Sequence, residues 1–401
     1  MRKFNKVMVI AVVMCMVTSL FIGCGQTVGN KEQSSPTASA TSEVTPFKID
    51  TLSIEPLQVE KNVELTFAII SGSPNGFEYY VAQKKGWMAQ AGINMQFKVF
   101  DNGPTVNEAM ESKGWDITGG GLGGILSAIL GHDALMISAA YPDQFSHMFF
   151  TRKDDPIIKA GKGNVEGYPN IYGTAEALKG REIMCPAGTP LHYELSQILK
   201  VFGLTLNDVK IANMDMTSVS TAFLAGQGDI AALWCPFNFS VQQKSQDAIV
   251  WASALDVDVN LPTLQYANPR VIENNPDKEN AIIKSIEIAF ATKDWMKKEE
   301  NKAEVLQIFL DMTDEHGISV SSEVAQQSLD SCPYYTFDEC YKMFIEKADS
   351  GMLDVKDLIY KPFEFMKEND KYAQKDLDKY TNGDYFSPKY LEIIKARRDK
   401  Q

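Results

Sequence analysis

The sequence predicts an α/β protein of two lobes followed by a mostly helical C-terminal part. Three observations carry this. Two successive series of strand, turn and helix patterns occupy residues 63–140 and 174–234, and such alternation builds mainly parallel sheets covered by helices. About 340 residues follow a polar N-terminal stretch, more than one hydrophobic core usually supports. Beyond Asn275 the apolar spacing is helical almost throughout.

The first series opens with VELTFAII (63–70), an apolar run that ends in Ser71, Gly72, Ser73, Pro74 and Asn75 and reads as a buried strand. Residues 77–91 carry helical spacing and stop at Gly92, and 95–100 is a second strand. Residues 105–113 read as a helix with Thr105 as its cap and Glu108 three positions later, a capping-box spacing. A short strand at 116–118 enters a glycine-rich turn, followed by a helix at 122–130 and a strand at 134–140. The second series runs as helix 174–178, strand 181–185, helix 191–202 closed by Gly203, strand 209–212, helix 219–225 and strand 230–234. Later helices are expected at 278–299, 302–311, 337–350 and 358–369.

The N-terminus has the form of an export signal. Arg2, Lys3 and Lys6 precede a sixteen-residue apolar run, 7–22, shorter than the ~20 residues a spanning helix needs. Leu20-Phe21-Ile22-Gly23-Cys24 resembles the lipobox of a bacterial lipoprotein, making Cys24 the expected lipidation site, although Phe21 is bulkier than the pattern favours. Residues 25–62 are polar and of low complexity, as expected of a flexible tether. The formal charge is −13, or −16 once the leader's three cations are set aside, and no basic run occurs; nucleic-acid binding is thereby excluded. No C-x-x-C spacing suggests zinc. Outside the cell Cys185 with Cys235 and Cys332 with Cys340 are conceivable disulfides, with four buried free thiols as the alternative.

Four stretches resemble a known family. FEYYVAQKKGWMAQAGI (77–93), Asn107 to Met110 with Gly114 to Ile117, REIMCPAGTPLHYEL (181–195) and FLAGQGDIAALW (223–234) are similar, in order and spacing, to the substrate-binding lipoproteins of nitrate, sulfonate and taurine importers. The resemblance implies a type II periplasmic-binding-protein-like fold: 63–150 with 256–401 as one lobe, 151–255 as the other, crossovers near Arg152 and Leu255, and hinge closure on a solute. It further implies a monomer without cofactor or catalytic residues, anchored on the outer face of the cell membrane and working with ABC permease subunits. The alternatives are an enzyme of pyrimidine (thiamine-precursor) synthesis on the same fold and a surface sensory domain.

In open α/β sheets ligands sit beyond the carboxyl ends of strands. Here those turns offer Ser71, Ser73 and Asn75; Asp101; Gly121 and Leu122; Tyr141; Thr189, His192 and Tyr193; Trp234 and Asn238. Residues 119–124 contain a formal G-x-G-x-x-G with Asp143 further on, open to three readings: a dinucleotide fingerprint, a ligand-lining turn, or close helix packing. Thr189 reads equally as a ligand donor or as the cap before Pro190, His192 as a ligand or a structural histidine, and Trp234 as cleft wall or core. The proposed turns hold no Lys or Arg, so a zwitterionic, neutral or cationic solute with a ring against Trp234 or Tyr193 suits them as well as an anion.

Overall fold

The computed structural model describes residues 62–400 apart from 258 and 369–371. The leader, Cys24 and nearly all of the tether lie outside the described residues.

Among the described residues ten strands form two five-stranded sheets. They are β1 (Val63–Ile70), β2 (Ile93–Phe100), β3 (Ile117–Gly120), β4 (Leu135–Pro142), β5 (Met148–Arg152), β6 (Glu182–Met184), β7 (Lys210–Ala212), β8 (Ile230–Leu233), β9 (Ala248–Ser253) and β10 (Pro262–Ala267). The first sheet has the order β2-β1-β3-β10-β4 and the second β7-β6-β8-β5-β9. In the first sheet β10 runs antiparallel to both β3 and β4; in the second β5 runs antiparallel to both β8 and β9. The remaining pairs, β1 with β2 and β3, and β6 with β7 and β8, are parallel. The expected two α/β lobes are therefore present, each with one reversed strand.

β5, β9 and β10 are additions to the expected elements. β10 is buried throughout, yet Thr263 and Gln265 interrupt its apolar run. The interior satisfies them: Gln265 Nε2 donates to Glu78 Oε1 at 2.6 Å, while its Oε1 accepts from Tyr79 at 3.0 Å and from Ser138. Lys293 stands 3.7 Å from Glu78 and donates to the Ala139 carbonyl. Burial raises the Glu78 carboxyl and lowers the Lys293 ammonium from their ordinary ranges. The crossover expected near Arg152 comes earlier, at Asp143–Ser146, because the following residues already pair as β5 in the second sheet. The return runs through Ala254–Val257, which includes Leu255. The two crossings lie side by side, with Asp143 N donating to Leu261 O at 2.8 Å and Ala254 N to His147 O at 3.4 Å.

Two helix expectations are corrected. The segment 77–91 is two helices, Phe77–Lys84 and Trp87–Gln90, because Gly86 adopts φ 73° between them. The next helix is Gly103–Glu108, capped by Asn102, whose Oδ1 accepts from Thr105 N at 3.1 Å; Thr105 lies inside it. Pro104 near the helix start fits this earlier beginning.

The C-terminal helices, from Pro276–Met296 to Lys389–Arg398, pack mainly on the first sheet's core through Phe309, Phe344, Ile359, Tyr380 and Tyr390. Asn268, at the end of β10, is fully buried. It donates to the carbonyls of Met110 (3.0 Å) and Trp115 (3.2 Å) and accepts from Arg270 N (3.1 Å). Asn268→Ala takes this donor from both buried carbonyls, leaving Met110 O to Lys113 N alone, and is expected to lower unfolding stability by about 1–3 kcal/mol, read as a shifted denaturant midpoint with unchanged slope.

Cys185, Cys235, Cys332 and Cys340 are buried free thiols, and neither conceivable disulfide is formed. The neighbours are instead Cys235 and Cys332, with Sγ atoms 4.0 Å apart. They lie in a small apolar cluster with Tyr141, Phe239 and Val324 that joins both sheets to the helical tail.

Candidate functional site

A cavity of about 550 Å³ lies where the carboxyl ends of both sheets' parallel strands meet. The turns after β1, β2, β3 and β4 line one side, those after β6, β7 and β8 the other, and Thr263 and Tyr266 of β10 its floor. Seven of the residues singled out from the sequence line it: Ser73, Asn75, Asp101, Gly121, Tyr141, Thr189 and Trp234.

The other five lie elsewhere. The Ser71 hydroxyl donates to the His316 carbonyl at 3.3 Å, and Leu122 is fully buried in the first core. His192 turns back into its own loop, where Nδ1 accepts from Gly188 N at 3.2 Å. Tyr193 packs edge-on against Phe365 at 5.5 Å. Asn238 sits behind the first crossover, donating to the Ser146 carbonyl at 2.9 Å. His192, Tyr193 and Asn238 follow the strand ends by enough residues to be carried round their helices, away from the opening. Thr189 holds the N-cap position of Pro190–Val201 without capping it, because its hydroxyl donates to Pro186 O at 2.7 Å.

The glycine-rich turn follows β3, the third strand, and forms one lip of the cavity. A Cβ placed on Gly123 would lie 1.3 Å from the carbonyl oxygen of Gly188, and one on Gly121 would lie 2.4 Å from Pro190 Cγ. The two halves therefore touch backbone to backbone at the mouth, and these glycines are what the contact requires. The segment lines the cavity and packs closely against the second half.

Sequence reasoning left out a buried charged group at the centre. His147 Nδ1 is 2.8 Å from both carboxyl oxygens of Glu194. Burial disfavours its charge, but Glu194 and then Asp143 outweigh that and raise the imidazole to about 9, so it is protonated at neutral pH. Asp143 accepts from the Thr263 hydroxyl. Burial, reinforced by Glu194 and opposed by His147 and Thr263, raises its carboxyl to about 6. The His147 ring lies 6.3 Å from Trp234. Tyr266 donates to Asn107 Oδ1 at 3.0 Å, and Asn107 donates to Gly124 O at 3.0 Å, fixing the floor to the lip. The strand-end rule would also have found 213–216 after β7, but Thr263 and Tyr266 sit on a strand the sequence did not reveal. Among the described residues no group of three or more His, Cys, Asp or Glu side chains is placed to hold a metal.

Residues 73–303 match the family described as NMT1/THI5 like. The chain belongs to that family. A protein of Brachyspira hyodysenteriae named as an ABC transporter periplasmic binding protein is 26% identical over 256 residues, which are 62% of this chain and 69% of that one. Among solved structures, the aliphatic sulphonate binding protein SsuA of Escherichia coli superposes with a TM-score of 0.58 at 16% identity, over 77% of this chain and 93% of its own. The nitrate-binding protein NrtA of Synechocystis gives 0.61 at 10%, over 84% and 89%. The desulfurization enzyme DszB gives 0.52 at 14%, over 84% and 99%. At these identities the neighbours establish the fold, a periplasmic-binding-protein-like pair of α/β lobes. These relatives and neighbours are binding proteins, apart from the enzyme DszB.

Proposed function

We propose that this protein is an extracytoplasmic solute-binding protein that closes two lobes on a small organic molecule and presents it to an ABC importer. The observation that carries this is the cavity itself, built from strand ends of both sheets and shut by contact between glycine turns. The moving bodies are the first sheet with the helical tail and the second sheet, with the paired crossings as hinge. Ser73, Asn75, Asp101, Gly121, Tyr141, Thr189 and Trp234 contact the solute, and lipidation at Cys24 holds the monomer at the membrane through the 25–62 tether.

A second reading, an enzyme on this fold, has one observation in its favour besides DszB. Cys235 lines the cavity, and a hydrogen bond from Cys332, with His147 among the lesser contributors, holds its thiol below the ordinary range despite burial. Native mass spectrometry of gently purified protein, followed by addition of the copurifying solute to ligand-stripped protein, separates the two. A receptor gains ~2.7 kcal/mol of stability at a hundred times Kd and returns the solute unchanged. Consumption of the solute with appearance of product overturns the receptor reading.

A further inference from the structure

Building on the cavity as the solute site, we infer that its cargo is a planar organic cation with N–H donors, and not an anion such as a sulfonate or nitrate. Among the described residues no Lys or Arg lines the cavity, whereas Asp101, Asp143 and Asp215 do. The one lining cation, His147, has its charge answered from behind by the fully buried Glu194, so the pair offers an anion no net positive charge.

Helix N-termini are the usual backbone attraction for anions, and among the described residues four open on the cavity; those of Gly103–Glu108 and Met216–Leu224 are capped by the side chains of Asn102 and Asp215. At the start of Leu122–His132 the position is already taken by a carboxylate: a Cβ on Gly121 would lie 2.6 Å from Asp143 Oδ2. The start of Pro190–Val201 has proline at its first position and so offers fewer free N–H groups. Asp215 is held by its own helix, accepting from Ser218 N at 2.9 Å and from the Ser218 hydroxyl at 2.7 Å, which leaves Asp143 as the central buried charge.

A sulfonate or nitrate carries acceptors only and would set oxygen against oxygen at Asp143, which lines the cavity. Trp234 supplies a ring face on which a flat cation can rest.

Calorimetry on the purified full-length protein with three probes sharing one ring tests this: benzamidine (cation), benzamide (neutral) and benzenesulfonate (anion). Benzamidine is expected to bind at least about tenfold tighter than benzamide, with benzenesulfonate weakest. Asp143→Asn should cost benzamidine at least about tenfold and leave benzamide within about threefold. On the unaltered protein, benzamidine affinity should fall as pH drops through about 6, where Asp143, flanked by His147, Glu194 and Tyr141, takes up its proton. Benzenesulfonate binding tightest, or benzamidine affinity flat across that pH range, overturns the inference and leaves the receptor reading standing. Silence from all three probes up to about 10 mM also overturns it, while the receptor reading is judged separately by the copurified solute.

Discussion

Gly123→Ala is expected to lower solute affinity by at least about a hundredfold, equivalent to about 2.7 kcal/mol, without weakening the unliganded fold. Gly123 is the second residue of the helix Leu122–His132, where alanine is intrinsically favoured over glycine by ~1 kcal/mol. The obstacle lies across the mouth, where the new methyl would fall 1.3 Å from Gly188 O and 2.5 Å from Gly188 C. Both are backbone atoms, so no side-chain rotation relieves the overlap and the halves must stand apart. Gly131→Ala in the same helix is the control, since its Cβ would meet nothing within 4 Å. Calorimetry with the copurified solute, together with the radius of gyration of the liganded protein, reads the effect. Equal affinity in the two variants would show that contact at this mouth is not part of binding.

His147→Leu should destabilise the protein by about 3–5 kcal/mol near neutral pH, because it leaves the Glu194 carboxylate buried without its partner. Pairing it with Glu194→Leu should recover much of that loss, since the double change leaves no stranded charge. The pH profile gives a second readout. Glu194, Asp143 and, more weakly, Cys235 hold the imidazole's proton, raising it from 6.5 to about 9. The folded protein thus keeps a proton the unfolded chain releases. The stabilisation is fully present below pH 6.5 and fades as pH rises through 9, amounting to at most about 3 kcal/mol. Denaturant titrations across that window should show the decline in the parent and its absence in His147→Leu. An identical slope in both would place the titration on another group.

How far the sequence disclosed this arrangement depended on the element. β1 appears with the bounds its apolar run predicts, and the turns after the parallel strands converge as the carboxyl-end rule requires. That rule identifies residues at a strand's end, such as Tyr141 and Trp234, because their position is fixed by the strand. It fails for Tyr193 and Asn238, one turn further on, where helix rotation and packing decide the direction of the side chain. β10 was hidden because Thr263 and Gln265 look like loop residues until Asp143 and Glu78 are seen to receive them. The His147–Glu194 pair spans 47 positions, so no local pattern announces it. The neighbouring thiols of Cys235 and Cys332 likewise join segments that only the folded tail brings together.

The placement of β10 also orders the birth of the molecule. Strands β5 to β9 come from one unbroken stretch, whereas β10 slots between β3 and β4 after that whole stretch has been made. A ribosome reading from the N-terminus therefore completes the later half first. The earlier half waits meanwhile with β3 and the edge strand β4 lacking their common neighbour, their backbone groups open to any passing strand. Of the two halves, the one synthesised first is the one that needs shelter longest.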